Sequence, residues 1–289
     1  MTDEVWTPLR LLNWTKDFFE GKGIAQPRLE AEMLLARALG WQRIDLYARY
    51  GDEVPPTKLA LYREIVRRRA AREPAQYILG SVDFCGLAFK CDKRALIPRP
   101  ESELIIESVA RLAEGKPELL LVDVGTGSGN LAVTAAVKLP QVRVVACDIS
   151  AEALTLAHEN AEHHEVLDRI EFHCGDFEEV LAAFAGKVDV VLANPPYVSE
   201  GEFAGLAPEL RDHEPRVALV SGPKGTEIIA RLLDFTPVLV KPGGHLVMEL
   251  GAGQSDRVRR LLETHDALEL VTFEKDFQRI ERLAVIRRK

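Results

Sequence analysis

Asn194-Pro195-Pro196-Tyr197 follows the apolar run Val188–Ala193 and has the residue types needed to hold a planar amino group. Two successive prolines fix φ and remove two backbone N–H donors, leaving carbonyls that act only as acceptors. The side-chain oxygen of Asn194 and the carbonyl of Pro195 can then accept both hydrogens of one NH2 group. An amide or aryl amine nitrogen is a poor nucleophile because its lone pair is delocalised. Two acceptors on its hydrogens draw density towards nitrogen and hold it in line with an electrophile, and such alignment lowers a barrier substantially. Tyr197 offers an aromatic face to a flat substrate group. The plain alternative is a proline-rich turn that closes a strand.

A second set of residues lies upstream. Asp123-Val124-Gly125-Thr126-Gly127-Ser128-Gly129-Asn130 follows the apolar run Leu119–Val124 and opens a helical pattern. Glycines there permit a tight turn and a close approach of backbone to ligand. A dinucleotide fingerprint requires G-x-G-x-x-G, whereas here the third glycine comes one residue early and Asn130 stands in its place. That spacing favours a nucleoside ligand without a pyrophosphate, such as S-adenosylmethionine, with Gly125, Thr126, Gly127, Ser128 and Gly129 as its loop. Asp148 ends the next apolar run, where a carboxylate, an acceptor only, can take both ribose hydroxyls. Asp176 and Phe177 follow the third run, an acid for the adenine amino group and a ring for the adenine face. Singly, each reads more readily as a helix cap or a core aromatic. Chance seldom places all of them at three successive strand ends. With Asn194 at the fourth, the pattern reads as an S-adenosylmethionine-dependent N-methyltransferase acting on a planar amide or amine nitrogen.

These residues need a scaffold that brings strand ends together. Leu119–Val124, Val142–Asp148, Ile170–Cys174 and Val188–Ala193 are near-continuous apolar runs separated by helical patterns, with further strands at 245–250, 268–273 and 282–287. Runs of this kind imply a seven-stranded, mostly parallel sheet covered on both faces, a Rossmann-like α/β domain over residues 93–289. Such sheets bind ligands at the carboxyl ends of their strands. Residues 1–75 carry a helical period instead (Leu9, Leu12 and Phe19, then Leu29, Met33, Leu34 and Leu39), punctuated by Gly21, Gly23, Pro27, Gly40 and Pro55-Pro56. They predict a small helical bundle. Residues 76–92, with Gly80, Gly86, Phe84 and Phe89, predict a β-hairpin linker. In 96–103, Pro98 and Pro100 around Arg99 hold the backbone extended up to Glu101.

Composition narrows the function classes. In 289 residues, 47% are hydrophobic and 28% charged, which suits a globular protein that builds its core without disulfides. Cys85, Cys91, Cys147 and Cys174 form no metal-ligand spacing and read as reduced, mostly buried thiols. His163 and His164 are adjacent, so on a helix they diverge, and no metal site is expected. The start MTDEVWTPLR lacks an apolar signal core and no run spans a bilayer, so a cytoplasmic protein is expected. A net charge of -8 argues against nucleic acid as the main partner. The exception is a helix bearing Arg63, Arg67, Arg68, Arg69 and Arg72, which reads first as a solvated face and second as a contact for an acidic partner or RNA.

The pairing of Asn194-Pro195-Pro196-Tyr197 with Gly125-Thr126-Gly127-Ser128-Gly129 resembles the amino-methyltransferases of DNA adenine, RNA guanine and protein glutamine. Gln76-Tyr77-Ile78-Leu79-Gly80, Phe84, the stretch from Leu96 to Glu103, and the closing Asp276-Phe277-Gln278 narrow the resemblance to the HemK/PrmC family, the protein-glutamine N5-methyltransferases of peptide-chain release factors. It covers nearly the whole chain. It implies that the glycine loop lines the S-adenosylmethionine site, that Asp148 binds ribose and Phe177 contacts adenine. It further implies that Asn194 to Tyr197 hold the glutamine of a Gly-Gly-Gln motif in class I release factors, so tuning translation termination. Arg99 and Glu101 are implied to lie beside the cofactor. The helical residues carry no catalytic motif and are expected to recognise the partner. Departures are Ser102 where threonine is usual, His213-Glu214-Pro215 for Tyr-Glu-Pro, and Pro223-Lys224-Gly225 for an Asp-Gly pair. The rivals are a nucleic-acid amino-methyltransferase (adenine N6 or guanine N2), a cofactor-binding regulator without turnover and, more distantly, a dehydrogenase.

Overall fold

A computed structural model describes residues 5–289, so the first four residues of the acidic start lie outside the described residues. Contacts divide the chain into two compact units, one ending at Ser81 and one spanning Val82–Lys289.

The smaller unit holds α1 (Pro8–Gly21), α2 (Pro27–Leu39), α3 (Arg43–Ala48), α4 (Pro56–Ala70) and α5 (Ala75–Leu79). Prolines open α1, α2 and α4 at the first turn, where a missing N–H costs nothing. Thr7 caps α1 by accepting the Arg10 N–H, and Gly40 closes α2 with φ of 74°. The core collects Leu11, Leu12 and Phe19 from α1, Leu34 and Leu35 from α2, and Ile65 and Val66 from α4. The Tyr62 hydroxyl donates to Thr15 Oγ1 at 2.9 Å inside this core, so the polar tip of this α4 side chain is satisfied where it is buried. Leu9, expected inside from the helical period, is 42% exposed; Leu11 takes the inward position beside Leu12.

Two further expectations change here. Gln76-Tyr77-Ile78-Leu79 is the body of α5, not strand, because Pro74 opens and Gly80, at φ of 77°, closes a single helical turn that buries Ile78 in the helical core. The three-residue apolar run Tyr77 to Leu79 cannot distinguish these outcomes by period alone. The arginine-rich helix is largely a network of internal pairs: Arg67 with Glu64, Arg68 with Glu73, Arg69 with Glu30, and Arg72 donating to the Gly23 carbonyl. Arg69 is buried, so it is no part of a basic surface.

The larger unit takes in the hairpin β1 (Ser81–Phe84) and β2 (Leu87–Lys90), turned by Cys85 and Gly86 at φ of 51° and 78°. Phe84 and Phe89 meet edge to face at 6.2 Å in its core. Next come a single turn at Pro100–Ser102, α6 (Glu103–Ala113), β3 (Leu119–Val124), α7 (Asn130–Lys138), β4 (Val142–Asp148), α8 (Ala151–His163) and β5 (Ile170–Cys174). The chain continues through α9 (Phe177–Val180), β6 (Val188–Ala193), β7 (Val198–Ser199), α10 (Glu200–Phe203), α11 (Pro208–His213), α12 (Arg216–Leu219) and β8 (Val220–Gly222). It closes with α13 (Glu227–Leu239), β9 (Val240–Glu249), α14 (Ser255–Leu262), β10 (Leu268–Lys275) and β11 (Glu281–Arg288).

Seven strands form one sheet in the order β10-β11-β9-β6-β3-β4-β5. The five from β9 to β5 are parallel, and β11 runs antiparallel between β9 and β10. Alternation along each strand feeds two cores. Leu121, Val144, Val190 and Leu192 pack with α6 and α7 residues on one face, and Val122, Val145, Val191 and Ala193 with Ile229 and Leu233 of α13 on the other. The chain leaves β3 towards β4 and β5, then returns to β6 on the opposite flank. The carboxyl ends of β3 and β6 therefore border a crevice.

Candidate active site

The loop after β3 is held in place from below. Gly125 and Thr126 both donate backbone N–H bonds to the Cys147 carbonyl at the end of β4, at 2.9 and 3.0 Å. The Asp123 carboxylate, fully buried, accepts the Thr126 hydroxyl at 2.6 Å and the Ala132 N–H at 3.2 Å, joining the loop to the first turn of α7. Burial pushes Asp123 up to about 7. Gly129 has φ of 79°, and a Cβ there would stand 3.0 Å from the Ala157 Cβ on α8, so both conformation and space demand glycine.

Asp148 shapes the same loop. One carboxylate oxygen accepts the Gly127 N–H at 2.8 Å and the other the Ser150 N–H at 2.9 Å. Each oxygen keeps a lone pair for a ligand. Burial raises this carboxyl's affinity for its proton. At the end of β5, Asp176 caps α9 by accepting the Glu178 N–H at 3.1 Å. Both its oxygens also take Arg231 Nη2, at 2.7 and 2.8 Å, and this guanidinium holds Asp176 below the usual carboxylate range. The Arg231 guanidinium lies 4.7 Å from the Phe177 ring centre. The adenine residues expected from sequence are thus already engaged by a cation from α13.

Gly125, Thr126, Gly127, Ser128, Asp148, Asp176, Phe177, Arg99, Asn194, Pro195 and Pro196 all line one cavity at these strand ends. Gly129 backs the loop, and Glu101 and Tyr197 are not among the residues that line the cavity. Tyr197 packs its ring against Gly251, and its carbonyl accepts the Gln254 Nε2 at 2.9 Å. Gln254 also accepts the Gly251 N–H and donates to the Gly225 carbonyl, clamping the turn after Asn194 from three sides. Arg99 pairs with the buried Glu214, whose other oxygen accepts the Ile97 N–H at 3.2 Å. His213-Glu214-Pro215 is thereby fastened beside the cavity.

The charges bear on what this cavity can hold. Each arginine that reaches it is already neutralised: Arg94 by Asp92 and Glu159, Arg99 by Glu214, Arg231 by Asp176 and Glu178. Asp148 adds a carboxylate. A pyrophosphate would meet net acid, whereas a nucleoside with a positive sulfonium fits both the charge and the glycine loop. Among the described residues no cluster of histidine, cysteine or acid is arranged to hold a metal ion.

Residues 10–80 match the family model of the PrmC N-terminal domain, and residues 116–256 match a methyltransferase domain. The chain is 40% identical over 287 residues to the release factor glutamine methyltransferase of Rhodopirellula baltica, covering 97% of this chain and 96% of that protein. The chain belongs to the release factor glutamine methyltransferase family. A second relative of that name, from Chlorobaculum tepidum, is 42% identical with 90% of each chain covered. The solved catalytic domain of hMettl16, in complex with the MAT2A 3'UTR hairpin 6, superposes with a TM-score of 0.57. At 17% identity, over 76% of this chain and 81% of that one, it shares the fold alone.

Residues outside the motifs named above also support the turn at Asn194. Asn194 Nδ2 donates to Ser102 Oγ at 2.9 Å, and that hydroxyl lies 2.5 Å from Glu249 Oε2. Glu249 ends β9 as a carboxylate closing an apolar run, the same sign that marks Asp123 and Asp148 in the sequence. Arg231 sits within the helical pattern of α13 and Gln254 in the loop that leads into α14, and neither carries such a sign.

Proposed function

We propose that this chain transfers a methyl group from S-adenosylmethionine to the side-chain amide nitrogen, N5, of the glutamine in the Gly-Gly-Gln motif of class I peptide-chain release factors. Its relatives are named for glutamine methylation of release factors. S-adenosylmethionine supplies an electrophilic methyl group and leaves as a neutral thioether, so no strong base is required before transfer.

The protein's part is binding and alignment. The glycine loop and Asp148 hold the ribose side, and Phe177 and Asp176, steadied by Arg231, hold the base. The observation that carries the reading is the 2.9 Å bond from Asn194 Nδ2 to Ser102. It uses the NH2 of Asn194 inside the protein and leaves Oδ1 for the incoming amide. With the Pro195 carbonyl, that oxygen accepts both amide hydrogens, fixes the plane of the group and raises the density on nitrogen. One of these protons departs to solvent once nitrogen is alkylated. Tyr197, clamped by Gln254, sets the far side of the turn.

The helical unit is assigned to recognition of the release factor, since it carries no catalytic motif. No described helix is long and apolar enough to cross a membrane, and we place the activity in the cytoplasm with translation. A nucleic-acid acceptor is the weaker reading, because the chain carries a net charge of -8 and the arginines of α4 are largely occupied by acids. A labelled-methyl assay offering release factor, DNA and ribosomal RNA side by side decides it. Label on the release-factor glutamine alone is expected; label on nucleic acid alone overturns the proposal.

A further inference from the structure

Ser102 and Glu249 stand behind the acceptor site and are 1% and 2% exposed. Neither belongs to the Asn194-to-Tyr197 turn. Ser102 comes from the single turn before α6, and Glu249 from the end of β9, the strand paired with β6. The three side chains form a line, with Asn194 Nδ2 to Ser102 Oγ at 2.9 Å and Ser102 Oγ to Glu249 Oε2 at 2.5 Å.

A hydroxyl has one hydrogen, and an ionised carboxylate can only accept. When Glu249 is ionised, Ser102 must donate to it, so its lone pair can only accept from Asn194. The Asn194 NH2 is then drawn inward and Oδ1 faces outward. When Glu249 carries a proton, it can donate to Ser102. The hydroxyl hydrogen is then free to point at Asn194, which favours the amide turned over, its NH2 set against the hydrogens of the acceptor.

We infer that Ser102 and Glu249 are positioning residues that set the direction of the Asn194 amide, and that they present its oxygen to the acceptor nitrogen only while Glu249 is ionised. This rests on the methyl-transfer reading above. Several groups face Glu249: Glu101 and Arg99 from the segment before α6, Arg282 from β11, and Tyr197 from the turn after β6. Burial and Glu101 raise its proton affinity, while Ser102, Arg282 and Arg99 oppose the rise, leaving it at about 7. The relay therefore turns over within the neutral range.

The test compares wild type with Ser102→Ala, Ser102→Thr and Glu249→Gln in two measurements. One is the single-turnover methyl-transfer rate on a release factor between about pH 6 and pH 8, with S-adenosylmethionine affinity measured alongside. Ser102→Ala should slow transfer by about 10- to 100-fold, the usual cost of removing a partner that orients a functional side chain, with little change in cofactor affinity. Ser102→Thr, which keeps the hydroxyl, should recover most of that loss. The wild-type rate should rise with pH through about 7. Glu249→Gln should lack that rise. The other measurement follows the Asn194 side-chain NH2 resonances with S-adenosylhomocysteine present, assigned by their absence in Asn194→Ala. They should titrate with a midpoint near 7 in wild type and not in Glu249→Gln. Resonances that do not titrate in wild type, or that titrate alike in Glu249→Gln, overturn the inference whatever the acceptor. A wild-type protein whose resonances titrate but which leaves the release factor unmethylated overturns the proposed function and leaves the relay standing.

Discussion

The Asp148 carboxylate accepts the Gly127 backbone N–H at 2.8 Å, so the residue we propose as the ribose ligand also holds the glycine loop in shape. Asp148→Ala removes two functions with one change. It should weaken binding of S-adenosylmethionine and of S-adenosylhomocysteine by about 1.5–3 kcal/mol, the size of a lost hydrogen bond to a charged group. Calorimetry with both ligands measures this. Unchanged affinity would detach Asp148 from the cofactor.

Glu249 makes stability depend on pH in a stated direction. Its folded value of about 7 lies above the ordinary glutamate range. As pH rises between the two, the unfolded chain releases a proton that the folded chain retains. Folding stability therefore falls across that window, and the full penalty persists above the folded value. Glu249→Gln removes the penalty. Its gain in unfolding free energy should be on the order of a few kcal/mol near pH 8 and much smaller near pH 5, measured by denaturant titration at both. An equal gain at the two pH values would mean that Glu249 is not held protonated by burial.

On the helical unit, Trp14 stacks on Phe18 with ring centres 5.1 Å apart, and Trp14 is 51% exposed. The two rings line a groove that also takes in Trp6, Leu59 and Val66, with Lys22, Arg63 and Arg67 at its walls. An exposed tryptophan stacked on a half-buried phenylalanine, with cations beside it, suits a protein contact. Trp14→Ser should raise KM for an intact release factor by about tenfold, a loss near 1.4 kcal/mol, and leave cofactor affinity unchanged. Steady-state kinetics on the intact protein and on a short Gly-Gly-Gln peptide check it. Equal effects on both would place the groove outside recognition.

The catalytic unit was legible because its chemistry sits at the ends of apolar runs. β3, β4, β5 and β6 begin and end where those runs do, and Asp123, Asp148 and Asn194 mark their carboxyl ends. The helical unit read less well in detail. Leu9 and Leu11 both satisfy an approximate helical period, and only packing against α2 decides that Leu11 goes inside. Gln76 to Leu79 read as strand because three successive apolar positions carry no period of their own. Arg231 was hidden for another reason: its partners Asp176 and Glu178 lie more than fifty positions upstream, and only the fold brings α13 beside the start of α9. Ser102 stood out in the sequence only as a departure from threonine. Its role depends on β9 lying beside β6, which the order of elements does not reveal.

The central claim is that Asn194 aligns the acceptor amide. The measurement closest to it is the single-turnover rate of labelled-methyl transfer to a release factor in Asn194→Ala, with S-adenosylmethionine affinity determined on the same preparation. Loss of one positioned polar contact to the transition state costs about 10²–10³ in rate, so a fall of that size with near-normal cofactor binding is expected. Asn194→Asp, which keeps acceptor oxygens but loses the donor to Ser102, should retain more turnover than Ala. A wild-type rate in Asn194→Ala would contradict the account.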